Sequence, residues 1–590
     1  MKAAQVICET MHKQGVEIVF GITGGAIMPL YDQLFDYKDK IRNIIVRHEQ
    51  GGMHMAEGYA KVCGKAGTCL ATSGPGSTNM ITGIMDAYMD SVPLVAMGGQ
   101  VATSLIGNDA FQETDMMGLT VPITKHNFQL RDPNDAAATI IKAYKLAVSG
   151  RPGPVYIDLP KDAQNGEVTK PIPEDVEIPT YNPTIEPNPL QLKKAAQMIL
   201  KAERPVILAG GGVIIANAAK ELFKFAEGLW IPVATTTMAK GCFPEDHPLS
   251  MGVTGMHGTE FANYSLINTD LIIAIGSRFS DRVTGELKSF QEGKKIIHID
   301  IDPTEIGKNV KAHLPIVGDA KKALEGISKI LVNEANKHKF KNSEWNKKVK
   351  ELKELCLKAE EEYFANEKLN TPFILHELNK VLKDTDIVCT GVGQHQMFGE
   401  HFLSRKDPRT WITSGGAGTM GFGLPAAMGA KLAKPDVNVF DIDGDGSFQM
   451  NSQELATAKE NGIKVMPMIM NNGYLGMVRQ WLELFYEKRY SGVTYSANPD
   501  FVKLSEAYHL SGLTVMKKAD VLPAIKRAIS EKETFLLDFH TDPEENILPM
   551  LPPGKGLRDI IGGKVIFPGI GGNTEKSKIS GASLVTLGGR

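Results

Sequence analysis

Closely spaced cysteines are missing from this 590-residue sequence. Its six cysteines include no Cys-x-x-Cys pair and form no regular framework. Zinc ribbons and redox-active dithiols need such pairs. Small secreted domains need an even number of regularly spaced cysteines that pair as disulfides. We therefore expect reduced, inert thiols and a cytoplasmic location.

Long apolar runs and an excess of one charge are also missing. No apolar segment approaches the roughly 20 residues that span a bilayer. The N-terminus, "MKAAQVICETMHKQGVEIVF", has the pattern of an amphipathic helix and a strand, without the apolar core of a signal peptide. The net charge is −3, with no basic stripe. These absences predict no membrane partner and no nucleic-acid partner.

The sequence instead alternates short β-branched runs, such as "VEIVF", "VPLVAM" and "DLIIAIGS", with helical patterns. This alternation predicts an α/β fold with three doubly wound parallel-sheet domains. We expect these domains over residues 1–165, 190–335 and 371–548. A proline-rich linker over 166–189 and a charged, solvated connecting helix over 336–370 would join them. Residues 549–590 are interpreted as a C-terminal arm and a mobile tail.

The first and third predicted domains open in the same way. "AAQVICETMHKQGVEIVFGITGG" and "PFILHELNKVLKDTDIVCTGVGQ" both read as a helix, a strand and a glycine turn. This echo predicts that the two domains share one fold.

The stretch "GDGSFQMNSQELATAKENGIKVMPMIMNN" combines an acidic turn with an amide-rich one. Asp445 follows a predicted buried strand, and Ser447 is placed to cap a helix that runs to Gly462. A second buried strand leads to Asn471 and Asn472. Because parallel strands bring their carboxyl ends to one crevice, these oxygens would meet as Mg²⁺ ligands, with the helix N-terminus facing a phosphate. The alternative is two tight turns that flank a helix.

The pattern "RHEQGGMHMAEGYA" suggests a metal-hydrolase helix at first sight. Such a site needs two histidines four residues apart on one helix face, with a glutamate beside the first. Here His54 lies six positions after His48, which rotates it off that face. The spacing excludes this zinc site, and both histidines are expected to have ordinary hydrogen-bond partners.

The acidic and amide turns together resemble the diphosphate motif of thiamine diphosphate enzymes. A longer series of motifs runs from residue 1 to about 556, namely "HEQGGMHMAEGYA", "TSGPGSTN", "GNDAFQETD", "GRPGPVYIDLPKD", "GMHGTEFANY", "GSRFSDRVTGE", "GVGQHQM", "GMVRQWLELFY" and "ILPMLPPGKG". In content and order this series resembles the catalytic subunit of the acetohydroxyacid synthase family. The domains would then be the pyrimidine-binding, central FAD-binding and diphosphate-binding domains of that enzyme type.

The resemblance implies a role for each matching residue around thiamine diphosphate. Glu49 of one subunit would meet N1′ of the aminopyrimidine bound to a neighbouring subunit. The Mg²⁺ ligands would be Asp445, Asn472 and the backbone carbonyl of Tyr474. The reacting side and substrate entrance would be formed by Gly24, Gly25, Gln112 and Lys161. The remaining cofactor contacts would be Pro75, Asn79, Gln394, His395, Gly418, Met420, Gly444, Gly446, Ser447 and Met477.

The resemblance also implies a structural FAD and a substrate pocket. The middle domain has a strand, a triple-glycine turn and a helix in "VILAGGGVIIANA", which suits a nucleotide. The substrate residues would be Phe111, Arg282 and Trp481, the last two favouring 2-ketobutyrate. The FAD contacts would be Arg151, Gly210, Gly211, Gly212, Thr236, Met256, His257, Arg278, Asp300 and Asp319.

The activity implied is the condensation of pyruvate with a second pyruvate or with 2-ketobutyrate, in branched-chain amino acid biosynthesis. A homo-oligomer with its active site at the subunit interface is implied, together with a small regulatory subunit. Three alternatives stay open: an FAD-free catabolic acetolactate synthase, a thiamine diphosphate-dependent decarboxylase or pyruvate oxidase, and an inactive scaffold. The chain departs from the usual family pattern at Ile22-Thr23, Ala102 and Ser280.

Overall fold

Parallel strands organise the chain into three successive sheets. The computed structural model describes residues 1–333 and 335–563, and the segments 565–566 and 585–586. Within these residues each of the three sheets has six strands, all paired in parallel. Neighbouring strand residues such as Cys69 and Leu70 belong to different apolar clusters, because helices cover both sheet faces. The predicted three-sheet α/β fold is confirmed.

The first sheet has the strand order β2-β1-β3-β4-β6-β5. Its strands are β1 (Ile18–Gly21), β2 (Arg42–Ile45), β3 (Gly67–Ala71), β4 (Leu94–Gln100), β5 (His126–Gln129) and β6 (Pro154–Pro160). The accompanying helices are α1 (Ala3–Lys13), α2 (Met28–Asp36), α3 (Glu49–Cys63), α4 (Pro75–Asn79), α5 (Ile81–Asp90), α6 (Met116–Thr120), α7 (Ala136–Val148) and α8 (Lys161–Asn165).

The central sheet has the order β12-β11-β10-β7-β8-β9. Counted from its own first strand, this is the 3-2-1-4-5-6 order of dinucleotide-binding folds, with the switch point between β7 and β10. Its strands are β7 (Pro205–Ala209), β8 (Val233–Thr235), β9 (Ser250–Val253), β10 (Leu271–Ile275), β11 (Lys295–Asp300) and β12 (Leu314–Val317). The helices are α9 (Pro189–Lys201), α10 (Gly212–Ile215), α11 (Ala219–Leu229), α12 (Glu260–Asn268), α13 (Asp281–Thr284), α14 (Leu287–Gln291), α15 (Ala320–Leu331) and the following α16 (Glu344–Ala365).

The third sheet has the order β14-β13-β15-β16-β18-β17, which repeats the first sheet strand for strand. The shared fold predicted for the two units is therefore confirmed. The strands are β13 (Ile387–Thr390), β14 (Trp411–Ile412), β15 (Val439–Gly444), β16 (Met466–Asn471), β17 (Ser511–Val515) and β18 (Phe535–His540). The helices are α17 (Thr371–Asn379), α18 (Gln394–Phe402), α19 (Gly423–Ala433), α20 (Asp445–Phe448), α21 (Glu454–Asn461), α22 (Gly476–Phe485), α23 (Phe501–Ala507) and α24 (Lys518–Ser530).

The connecting helix α16 is amphipathic, which corrects its interpretation as a solvated helix. Trp345, Val349, Leu352 and Cys356 recur at helical spacing and are buried in an apolar cluster of the central unit. The charged residues occupy its other face. In the arm, Leu551 and Leu557 join the same cluster. The mobile tail was predicted for residues that lie largely outside the described part of the chain.

Helices α3 and α19 bring the first and third sheets together at very close range. A Cβ at Gly58 would overlap the carbonyl oxygen of Ala426, and a Cβ at Gly429 would overlap that of Met55. Only glycine allows the two backbones to touch in this way. The crossing therefore depends on one glycine in each helix.

Buried titratable side chains lie beside this crossing. His54 Nδ1 is 2.9 Å from Glu57 Oε2 and 3.8 Å from Asp86 Oδ2, and all three side chains are fully buried. Ser414, from the third unit, donates a hydrogen bond to Asp86 Oδ1 at 2.7 Å. The three residues bring potential metal-ligand atoms within 4.8 Å of one another. Burial and the adjacent carboxylates raise the pKa of Asp86 to about 8, so a shared proton also suits the cluster.

The described residues contain no helix with both the length and the apolar character that crossing a membrane requires.

Gly58→Ala and Gly429→Ala should each separate the two backbones and lower the free energy of unfolding by about 1–3 kcal/mol, as overpacking does. The measurement is the midpoint of thermal or denaturant unfolding. Gly326→Ala on α15 is the matched control. Its new methyl group would first meet the end of the Leu192 side chain, which can move, whereas the two test positions face backbone carbonyls. Equal effects of all three changes would contradict the role of the crossing.

The contribution of Asp86 to the stability of the fold should fall as the pH rises from 5 to 8. Folded Asp86 keeps its proton up to a pKa of about 8, whereas the unfolded chain releases it near its ordinary value, so the part of the free energy of unfolding that Asp86 contributes decreases across this window. Asp86→Asn should flatten the dependence of the melting temperature on pH. Asp32→Asn, at an exposed carboxyl, should leave it as in the parent. A slope unchanged by Asp86→Asn would refute this origin.

Candidate active site

Most of the predicted site residues of the first unit follow the carboxyl ends of its strands. The segments after β1, β2, β3, β4 and β6 carry, in turn, Gly24 and Gly25, then Glu49, then Pro75 and Asn79, then Phe111 and Gln112, then Lys161. Carboxyl ends of parallel strands share one edge, which is where ligands bind in such sheets. All these residues therefore lie at the carboxyl edge of the first sheet.

Glu49 is the first residue of α3 and is 7% exposed. Its Oε2 accepts a hydrogen bond from Asn79 Nδ2 at 2.9 Å. A Cβ at Gly76 would lie 3.2 Å from Glu49 Oε1, and one at Gly24 would lie 2.6 Å from Thr72 Cβ. Two glycines thus let the loops close around this carboxylate. The His48 ring accepts a hydrogen bond from Gln50 N at 3.1 Å.

The entrance residues lie further out. Phe111 is 88% exposed, and Lys161 is exposed at the start of α8. Gln112 adopts a positive φ of 60°, and its backbone lies against Gly74. These side chains flank the Glu49 edge on the outer loops.

Asp445 and Asn472 follow adjacent strands of the third sheet, whose register pairs Gly444 with Met470. Asp445 Oδ2 accepts a hydrogen bond from Asn498 Nδ2 at 2.6 Å, and Asn472 Oδ1 accepts one from Tyr474 N at 3.0 Å. Burial raises the pKa of Asp445 to about 6. The structure brings the three predicted metal ligands into one crevice of hard oxygen donors.

Gln394 and His395 begin α18 beside this crevice. A Cβ at Gly476 would collide with both Gln394 Oε1 and Asn472 Nδ2, which places the two amides around one glycine. Burial lowers the pKa of His395 to about 3, so its ring is neutral. Its Nε2 has no hydrogen-bond partner among the described residues and lies 3.5 Å from Asp443 Oδ1. A buried ring nitrogen without a partner fits a site for a phosphate group.

The helix predicted from Ser447 to Gly462 is interrupted, which corrects the sequence interpretation. A single turn, α20, ends at Phe448, and α21 begins only at Glu454. Ser447 caps no helix; its Oγ accepts hydrogen bonds from Gly421 N at 3.0 Å and Val392 N at 3.3 Å. The predicted end is right, since Gly462 has a φ of 61° as the C-terminal cap.

The other predicted glycines leave room along the same crevice. A Cβ at Gly444 would lie 2.7 Å from His395 Nδ1, and one at Gly446 would lie 2.9 Å from the Tyr495 ring. Gly418 has a φ of 66°, and half-buried Met420 lies on the turn before α19. Gly418 and Met477 also line the cavity of the central unit.

A cavity of about 1080 Å³ opens at the carboxyl edge of the central sheet. Its volume lies at the upper end for small-ligand sites. Its walls come from all three units, because Lys61 and Trp411 join the residues of the central sheet. The lining includes every predicted FAD residue, namely Arg151, Gly210, Gly211, Gly212, Thr236, Met256, His257, Arg278, Asp300 and Asp319.

Polar groups in this cavity suit a dinucleotide. Both ring nitrogens of His257 and Ser277 Oγ are buried, and the part of the chain that the structure describes offers them no hydrogen-bond partner. Burial lowers the pKa of His257 to about 3 and raises that of Asp300 to about 6. Arg151 Nη1 donates to Glu305 Oε1 at 2.8 Å, and Asp319 caps α15 through a hydrogen bond from Lys322 N. Gly210 and Gly212 let the loop after β7 press against Gly276 at the switch point.

Arg282 and Trp481 lie on the same side of the central unit. Arg282 Nη1 is 3.0 Å from Met256 Sδ, and its side chain is 55% exposed at the mouth of the cavity. Trp481 packs against the apolar cluster that contains Met256, while its Nε1 has no partner. Among the described residues Arg282 forms only a long ion pair, with 3.9 Å between its Nε and Asp281 Oδ2. Its guanidinium is therefore available to a ligand in the cavity.

Two site residues escaped the sequence interpretation. Asn498, on an irregular segment, bonds to both Asp445 and Asn471, and no local pattern marked it. Glu400 lines the cavity, and burial raises its pKa to about 7. Gln396, which also lines the cavity, lies four residues before Glu400 on α18, so the two side chains share one helix face.

Comparisons with known proteins agree with this geometry. Models of the N-terminal TPP binding domain, the central domain and the C-terminal TPP binding domain of thiamine pyrophosphate enzymes match residues 1–119, 192–327 and 391–539. A probable acetolactate synthase large subunit of Methanocaldococcus jannaschii is 50% identical over 570 residues, 95% of each chain. The acetolactate synthase large subunit of Corynebacterium glutamicum is 47% identical over 567 residues, 95% of this chain and 90% of its own. The chain belongs to the acetolactate synthase large-subunit family of thiamine pyrophosphate enzymes.

Proposed function

We propose that the chain is the catalytic subunit of an acetohydroxyacid synthase. It decarboxylates pyruvate and joins the remaining two-carbon unit to pyruvate, giving 2-acetolactate, or to 2-ketobutyrate, giving 2-aceto-2-hydroxybutyrate. Both products would serve branched-chain amino acid biosynthesis. The observation that carries the proposal is the pairing of two sheets of equal topology, one offering Glu49 beside Asn79 and the other Asp445 beside Asn472.

Thiamine diphosphate and Mg²⁺ fit the crevice of the third sheet. Asp445, Asn472 and the carbonyl of Tyr474 would hold the metal, and Gln394 with the unpartnered His395 would bind the diphosphate. When bound, the cofactor supplies the carbon nucleophile and the electron sink for decarboxylation. Ser447 would hold the surrounding turn, because its hydroxyl already accepts two backbone hydrogen bonds.

The role proposed for Glu49 is to hold a proton between its carboxylate and N1′ of the aminopyrimidine. Asn79 orients that carboxylate through its hydrogen bond. Low exposure at this position limits competition from water for the same proton. Gly24, Gly25 and Pro75 would surround the pyrimidine, with Gln112 and Lys161 at the entrance.

FAD is the ligand we propose for the cavity of the central unit. The dinucleotide-type strand order, the cavity volume and the unpartnered His257 and Ser277 support it. The flavin would have a structural role, because the proposed reaction involves no net oxidation or reduction. Arg282 would bind the carboxylate of the second 2-keto acid, and Trp481 would favour 2-ketobutyrate.

A homo-oligomer with Glu49 and Asp445 contributed by different subunits is the proposed active unit. Large apolar side chains on the first unit support an interaction surface, since Phe35, Phe111 and Val121 are 70%, 88% and 63% exposed. A small regulatory subunit is the further partner that the family suggests.

Product identification tests the function. Incubation with pyruvate, alone or with 2-ketobutyrate, in the presence of thiamine diphosphate, Mg²⁺ and FAD should yield the two acetohydroxy acids. Arg282→Lys should raise the KM of the second substrate, because an ammonium group cannot fork onto a carboxylate. Release of acetaldehyde or acetyl phosphate alone would replace the proposal with a decarboxylase or an oxidase.

Glu49→Gln and Asp445→Asn should fail in different ways. Glu49→Gln should lower kcat by about 100-fold or more, as the loss of a positioned acid–base group does, and keep the affinity for Mg²⁺-thiamine diphosphate. Asp445→Asn should lose that affinity. Cofactor titration by protein fluorescence, beside kcat, separates the two effects. Full activity of Glu49→Gln would contradict the proposed role.

A further inference from the structure

The turn that leads into Glu49 is held by a carboxylate from the other end of the chain. Glu454 is the first residue of α21, in the third unit. Its Oε1 accepts hydrogen bonds from Arg47 N and His48 N, each at 3.0 Å. Its Oε2 lies 3.2 Å from Arg47 N and accepts a hydrogen bond from Thr457 Oγ1 at 2.7 Å. One side chain therefore satisfies two consecutive backbone donors.

This contact is closely fitted. Glu454 is fully buried, so its carboxylate depends on these protein donors in place of water. A Cβ at Gly51 would lie 2.6 Å from Glu454 Oε1, so only glycine at that position admits the carboxylate. The space that the missing side chain of Gly51 leaves is therefore occupied by the Glu454 carboxylate. The first turn of α3 is thus shaped around Glu454.

The contact fixes Glu49 from the backbone side. Residues 47 and 48 are bound by Glu454, and the His48 ring accepts a hydrogen bond from the amide of Gln50. The peptide on each side of Glu49 is therefore restrained. The Glu49 side chain is restrained separately by Asn79. The orientation of the Glu49 carboxylate is therefore restrained both through its neighbouring backbone and through its own hydrogen bond.

We propose that Glu454 is a positioning residue for Glu49, acting through the backbone of residues 47 and 48. This inference rests on the proposed function, in which Glu49 serves the cofactor. Glu454 lies in the same loop-and-helix segment as Asp445, the proposed metal ligand. One short segment of the third unit would hold the metal at its start and orient a glutamate of the first unit at its end.

Exchange of the thiazolium C2 proton for deuterium, read by NMR after an acid quench, tests the proposal. Glu454→Ala should slow the exchange by about 10- to 100-fold, the effect of a misplaced catalytic group, and lower kcat in parallel. The KM for pyruvate and the affinity for Mg²⁺-thiamine diphosphate should stay unchanged. Glu454→Gln should lie between, because its amide keeps one acceptor oxygen.

Glu460→Gln is the matched control. Glu460 lies on the same helix and pairs with the Arg47 guanidinium at 2.7 Å, but it is 53% exposed and does not touch the Arg47–His48 backbone. It should exchange at the parent rate. If Glu454→Ala does not fold, Thr457→Val removes only the hydroxyl that holds Oε2, and a smaller slowing is expected.

The possible failures are distinguishable. Unchanged exchange in Glu49→Gln would refute the proposed role of Glu49 itself. Loss of exchange in Glu49→Gln with parent rates in the Glu454 and Thr457 variants would overturn only the positioning role. The positioning role is also overturned if Glu454→Ala loses activity through cofactor affinity alone, with normal exchange at saturation.

Discussion

The crossing of α3 and α19 is the contact that fixes the first and third units of the chain against each other. Glycines at positions 58 and 429 let the two helix backbones meet, and no larger residue would fit without moving one of them. α3 begins at Glu49, and α19 follows the turn that contains Gly418 and Met420. The distance between the first and third sheets is therefore set by direct contact between two helix backbones. The buried polar cluster of His54, Glu57 and Asp86 lies beside the crossing. It also links the two units, because Ser414 donates a hydrogen bond to Asp86.

Parallel strands supply the second constraint. Most predicted functional residues lie at or after the carboxyl end of a strand, so each sheet has one chemically active edge. The edge of the first sheet offers a carboxylate held by an amide, and that of the third offers hard oxygen donors. The central edge opens into a cavity with polar groups that lack partners. One fold type thus provides three kinds of site through its loops alone.

Local patterns in the sequence were enough to predict the sheets and their active edges. Buried central strands carry continuous β-branched runs, and glycine turns mark where they end. The strands that escaped prediction are mostly edge strands, β5, β9, β12, β14 and β17, together with the interior β18, whose apolar run Asp538 interrupts. The break between α20 and α21 was missed because Ser447 bonds to distant loops. Glu454 could not be assigned, since its partner Arg47 lies 407 residues away.

The cavity walls have a consequence for how such chains can evolve. All three units contribute to them, and the start of α3 is held by a residue of the third. A unit exchanged with a distant homologue would have to bring matching walls and a matching carboxylate to the same places. An exchange at either linker therefore has to preserve contacts that lie far from the linker itself.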